Sequence, residues 1–222
     1  MATSSHRRLQ SVGNNFLATC TFFIATWCGA AQVSVQVNDS TGQPVADAVV
    51  YANIISGSPP TKSKRIVAVE QVNKEFVPLV SVLQAGTMLN FPNRDKVRHH
   101  VYSFSPAKTF EIKLYSGVPG TPILFDKAGE VVLGCNIHDT MVAFMLVVDT
   151  PVFAKTDKRG VALLDGLSAG EYEFHVWYPA TPASASPAPR KLKLSATEAA
   201  SLALAFSVKP QVPSALGPGA GK

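Results

Sequence analysis

Gly129-Glu-Val-Val-Leu-Gly-Cys-Asn-Ile-His-Asp-Thr-Met-Val-Ala-Phe-Met-Leu-Val-Val148 decides how the rest of this chain reads. Gly129 to Gly134 and Met141 to Val148 read as short strands. The second is apolar without a break, as expected of a central strand. The loop between them carries a thiol, an imidazole and a thioether, Cys135, His138 and Met141, within seven residues.

Five more short strand patterns lie upstream: Ile66 to Gln71, Phe76 to Leu83, Gly86 to Phe91, His99 to Phe104 and Phe110 to Tyr115. Strands at this spacing, without helical periods between them, predict an all-β sandwich or barrel. Composition agrees. Of 222 residues 46% are hydrophobic and 16% charged, with 16 Pro and 15 Gly, which excludes a chain disordered throughout, a coiled coil and a charged helical bundle. A formal net charge of +5 without a long Lys/Arg run leaves no nucleic-acid footprint.

Soft sulfur together with imidazole selects copper over hard cations, and a single thioether suits a three-coordinate site with a distant axial ligand. Such a site needs a second imidazole, and His99 or His100 can supply it. Neighbours on a strand face opposite ways, so only one of them can reach the metal. Zinc is the other ion for these donors, although structural zinc sites usually offer more thiolates and no Met. One Cys in the loop excludes a binuclear copper centre with two bridging thiolates. No His-Glu-x-x-His, Gly-x-Ser-x-Gly or phosphate loop is present, so no hydrolytic activity is expected.

The spacing Cys135-x2-His138-x2-Met141 resembles the ligand loop of the cupredoxins, the blue copper proteins, and is nearer to that of the amicyanins than to that of plastocyanins or azurins. Phe76-Val-Pro78, Val82 with Ala85-Gly-Thr87, Phe91-Pro-Asn-Arg-Asp95 and His99-His-Val101 are similar to the upstream part of that family, where a strand ending in Phe-x-Asn is followed by His and a Val-containing strand. The resemblance implies a Greek-key β-sandwich over residues 65–150. It implies one copper ion held by His99, Cys135, His138 and Met141, with His138 as the exit for an electron. His100 stands where many members have Asn. The whole arrangement resembles exported cupredoxin-domain proteins of the methylamine utilisation type. That implies an electron carrier rather than an enzyme, serving a redox partner such as a c-type cytochrome or a dehydrogenase.

The flanks extend this reading. His6, Arg7 and Arg8 precede the apolar stretch Phe16 to Trp27, and Gly29, Ala30 and Ala31 follow it, the pattern of a signal peptide over residues 1–31. Export to the periplasm is expected, with no membrane attachment after cleavage. Loss of Arg7 and Arg8 lowers the formal net charge from +5 to about +3. Cys20 and Cys28 leave as well, so Cys135 remains alone in an oxidising compartment, where a lone thiol must be buried, paired with another molecule or bound to something.

Val33, Val35 and Val37 alternate with polar residues, and Ala48 to Ile55 forms a second apolar run. Asp39-x-x-Gly42-x-Pro44 resembles the opening of carboxypeptidase regulatory-like domains, small prealbumin-like sandwiches. Thr156-Asp-x-x-Gly160 and Leu167-x-x-Gly170-x-Tyr172 resemble the closing half. Residues 32–61 and 151–210 are therefore expected to form one sandwich interrupted by residues 65–150; in the alternative, the N-terminal hairpin packs beside the copper domain. Gly57 to Lys64 and Pro179 to Pro189 read as loops, Gly166 to Gly170 as a turn, Ser195 and Glu198 as a helical cap, and residues 211–222 as a disordered tail.

Arg94, Lys96 and Arg98 lead into His99 and either steer an acidic partner or form a solvated basic loop. His175 is expected to be structural. Asp39, Asp47, Asp157 and Asp165 occupy turns, where local backbone bonding is the expectation and calcium the alternative. Two further functional readings stay open: a non-redox module binding carbohydrate or protein through Trp177 and Tyr178, and a copper-delivery protein.

Overall fold

A computed structural model describes residues 31–57, 66–179, 181, 185–195 and 202–208. Residues 1–30 of the expected signal peptide, the loop after Gly57, the helical cap at Glu198, the centre of the Pro-rich loop and the C-terminal tail lie outside the described residues; Ala31, the last residue of that expected segment, opens the first strand. The chain opens with β1 (Ala31–Asp39) and β2 (Val49–Gly57). The middle region holds β3 (Ile66–Ala68), β4 (Glu70–Val72), β5 (Glu75–Val77), β6 (Val80–Gln84), β7 (Thr87–Asn90), β8 (His99–Ser105), β9 (Lys108–Tyr115), β10 (Ile123–Phe125), β11 (Gly129–Cys135) and β12 (Val142–Val148). After it come β13 (Phe153–Lys155), β14 (Val161–Leu167), β15 (Gly170–Trp177), β16 (Arg190–Leu194) and β17 (Leu202–Val208). The protein is all-β, and no helix among the described residues is long and apolar enough to cross a membrane.

In the middle region a five-stranded sheet, β6-β12-β11-β8-β9, faces a three-stranded sheet, β10-β7-β3. Leu83, Leu89, Phe91, Val101, Phe125, Leu133 and Met145 fill the space between them. The first and last segments of the chain share two other sheets, β14-β1-β17 and β13-β2-β15-β16. β1 is antiparallel to β14 and parallel to β17, and β2 is antiparallel to both β13 and β15. The Val33, Val35 and Val37 side of β1 packs with Tyr172, Phe174 and Leu194 in a separate core.

β12 has a reason to be apolar on both faces. Ala143, Met145 and Val147 point into the middle-region core. Phe144, Leu146 and Val148 point the other way, against Val49 and Trp177 of the flanking sandwich. Two cores thus meet across one strand. Trp177 also donates its indole N–H to Glu130 Oε1 at 2.7 Å, satisfying its polar atom at the seam.

Three local expectations are corrected. The run Phe76 to Leu83 is two strands, β5 and β6, because Pro78 has no N–H to give a ladder. β14 continues to Leu167, which is fully buried opposite Ala31, so the turn expected over Gly166 to Gly170 contracts to Ser168-Ala169. β10 was not expected at all; its three residues between Pro122 and Asp126 are too short to show a period, and its pairing with β7 is tertiary.

Gly160 closes the turn before β14 with φ +73°, and a Cβ there would lie 2.4 Å from the Val37 carbonyl oxygen. Gly160→Ala should cost at least ~2 kcal/mol in urea unfolding, from the left-handed backbone plus displacement of β1. Gly42→Ala, at φ +87° with nothing within 4 Å of the new atom, isolates the backbone contribution and should cost about 1 kcal/mol.

Candidate metal centre

His99 is the first residue of β8 and points into the core, fully buried. Alternation sends His100 to the outer face, where its Nε2 meets Glu111 Oε1 at 2.9 Å. Of the two imidazoles, His99 alone enters the site.

Cys135 ends β11 on the same face as Val131 and Leu133. The antiparallel register Gly134↔Val142 brings Met141 opposite Cys135, and the Cys135 N–H donates to the Met141 carbonyl at 3.2 Å. Opposed residues share a face, so the thioether residue enters the same core as the thiol. The Met141 N–H donates to the His138 carbonyl at 2.9 Å, and the tight loop this makes swings the His138 ring over Cys135.

The two Nδ1 atoms, of His99 and of His138, each lie 3.8 Å from Cys135 Sγ. All three donor atoms fall within 4.8 Å of one another. A planar site with a metal–sulfur bond of about 2.3 Å and metal–nitrogen bonds of about 2.0 Å, at about 120°, separates sulfur from nitrogen by about 3.7 Å. The donor set therefore fits one ion in its midst. His99, Cys135 and Met141 are 0%, 4% and 1% exposed, while His138 is only partly buried. Burial first, and then the neighbouring His99 and Lys74 side chains, hold the His138 imidazole below its ordinary range, which favours its neutral, metal-binding form.

Behind His99 stands Asp95, whose Oδ2 lies 2.7 Å from His99 Nε2. The backbone N–H groups of Asn73 and Lys74 also donate to this carboxylate, at 2.7 and 2.9 Å. Burial works against the ionised form of Asp95, but the bonds from Lys74, His99 and Asn73 outweigh it and hold the carboxyl below its usual range. Asn93 pins the loop: its Oδ1 accepts the Asp95 N–H at 2.9 Å and its Nδ2 donates to the Val97 carbonyl at 2.8 Å. Beneath it, the Tyr115 hydroxyl donates to the Phe91 carbonyl at 2.6 Å, and burial pushes this phenol up to about 12.

No family model and no curated protein matches the chain. Solved structures resemble part of it. A copper-containing nitrite reductase from Thermus scotoductus SA-01 aligns with 43% of this chain at 24% identity and TM-score 0.36, and the chain spans 25% of that protein. A purple cupredoxin from Nitrosopumilus maritimus aligns with 37% of the chain over 99% of its own length, at 19% identity and TM-score 0.33. A reduced amicyanin variant aligns with 44% of the chain over 98% of its own length, at 19% identity and TM-score 0.32.

Other residues singled out by the sequence fall outside the centre. Arg94 of the basic run before His99 pairs with Glu70 at 2.8 Å, and Lys74 lies near enough to His138 to act on its imidazole. His175 stacks on Tyr51 with ring centroids 4.9 Å apart, and its Nε2 lies 3.2 Å from Asn53 Nδ2. Trp177 is buried at the seam between the sandwiches and presents no open face to a sugar. Asp39 and Asp157 bond the backbone of their own turns, Asp47 pairs with Lys155, and Asp165 meets Gln32. Sequence reasoning passed over Asp95 as a partner of the site; its one signal is a carboxylate four residues before a ligand candidate.

Proposed function

We propose that the chain is an exported cupredoxin-type electron carrier holding one copper ion between His99, Cys135 and His138, with Met141 as a weak fourth donor. The observation that carries this is the position of two imidazole Nδ1 atoms at 3.8 Å from a buried thiol. When bound, copper supplies a one-electron Cu(I)/Cu(II) couple, and a thiolate with two imidazoles suits both states. The chain's own residues do the rest. Cys135 and His99 are held by strand pairing and loop bonds, which limits reorganisation, and their burial excludes water. His138 alone reaches toward the surface and gives the electron its exit.

This burial also favours electron transfer over copper delivery, since handing over the ion requires exchangeable, accessible ligands. The shared sheets of the first and last segments support a copper domain at residues 65–150 inserted into a regulatory-like sandwich made by residues 32–61 and 151–210. Lys74, Lys96 and Arg98 suit a partner with an acidic docking face, such as a c-type cytochrome or a dehydrogenase. The combination of copper domain and flanking sandwich supports a place among proteins of the methylamine utilisation type, in the periplasm.

Titration of the purified protein with Cu(II) should give one equivalent bound, intense visible absorption from sulfur-to-copper charge transfer, and reversible one-electron reduction. A colourless protein that retains no stoichiometric copper overturns the proposal.

A further inference from the structure

The sequence places Asp95 in a loop, and the fold turns it toward the back of His99. A carboxylate can only accept, so at 2.7 Å the shared hydrogen sits on His99 Nε2 and the Nδ1 lone pair points at Cys135. The carboxylate is itself held from two sides. The two central residues of the β4–β5 hairpin, Asn73 and Lys74, both have positive φ, 55° and 61°, the backbone of a primed two-residue turn. In that conformation consecutive N–H groups point the same way, and here they meet Asp95 at 2.7 and 2.9 Å. Asn93 Oδ1 holds the Asp95 N–H from its own loop. A hairpin with no residue in the donor set thus reaches the site through one carboxylate.

We infer that Asp95 is the positioning residue of this centre: braced by the β4–β5 turn, it fixes His99 as the Nε2–H tautomer and sets a negative charge behind that imidazole. This deepens the electron-carrier reading and rests on it. Two consequences separate the hydrogen bond from the charge. The hydrogen bond orients the ring before any ion arrives, which favours metal binding; outer-shell partners of metal-bound His are typically worth about 10–100-fold in affinity. The charge makes the imidazole a stronger donor and favours the more highly charged ion, Cu(II), which lowers the reduction potential.

The test uses Asp95→Ala, which removes bond and charge, and Asp95→Asn, which keeps an acceptor oxygen without charge and preserves the packing if the alanine variant fails to fold. In metal-free protein, long-range nitrogen–proton NMR of His99 should show protonated Nε2 and bare Nδ1 in the parent and Asp95→Asn, and a tautomer mixture in Asp95→Ala. Cu(II) affinity should fall about 10–100-fold in Asp95→Ala and less in Asp95→Asn. The reduction potential should rise in both. An unchanged His99 tautomer in Asp95→Ala, or unchanged tautomer, affinity and potential in a folded Asp95→Asn alone, overturns the positioning role. If the parent holds no copper, the electron-carrier reading fails, and the metal-free tautomer experiment still decides whether Asp95 orients His99.

Discussion

Cys135→Ser is expected to abolish the intense visible absorption of the copper-loaded protein and to weaken Cu(II) binding by more than about 100-fold. A hydrogen-bond partner behind a metal-bound His is typically worth about 10–100-fold in affinity, and the loss of a direct donor should exceed that. The absorption depends on sulfur: a serine hydroxyl is a hard donor that stays protonated near neutral pH and has no low-lying charge-transfer band. Serine nearly matches cysteine in size, so the core formed with Leu133 and Met141 should survive. The stability loss should be limited to ~1–3 kcal/mol for a buried hydroxyl without a good partner. His100→Ala is the matched control, because His100 faces the other side of β8 and pairs with Glu111; its spectrum should equal that of the parent. Visible absorption that persists in Cys135→Ser, or is lost in a folded His100→Ala, contradicts the assignment of ligands.

Trp177→Ala is expected to produce the largest loss of stability, ~3–5 kcal/mol from the truncated aromatic alone. The indole lies against β12 in the cluster that contains Val80, Phe144 and Leu146, and its removal also strips Glu130 of its 2.7 Å hydrogen-bond donor. The effect should be on coupling as well as on stability. With the seam filled, the two cores on either side of β12 should unfold together; with Trp177 gone, calorimetry should resolve two transitions, only one of which moves when Cu(II) is added. A single transition at the parent's melting temperature means that the seam does not couple the sandwiches.

That His99, Cys135 and His138 come together was legible in the sequence because the information is local. Cys135, His138 and Met141 share one loop between two apolar runs, and alternation along His99-His100 leaves a single inward imidazole. The all-β class was legible for a similar reason, through period-two patterns and frequent turns. Arg94, by contrast, looked like part of a free basic cluster, and Glu70, its partner at 2.8 Å, lies 24 positions away on a strand whose approach no local pattern announces. β10 and the break at Pro78 were lost because three-residue strands carry no period.

On its own the sequence sets the chemistry on offer: a thiol, two imidazoles and a thioether, with His99 and Cys135 at strand ends where alternation sets their facing and His138 in the loop that follows. The tertiary structure decided what surrounds that chemistry. It set Asp95 behind His99, braced Asp95 with a hairpin turn, and covered the second face of β12 with a sandwich drawn from both ends of the chain. Periodicity reports which side of a strand is buried and says nothing of which distant segment buries it. That choice depends on strand register and surface fit across more than a hundred residues, as between β1 and β17.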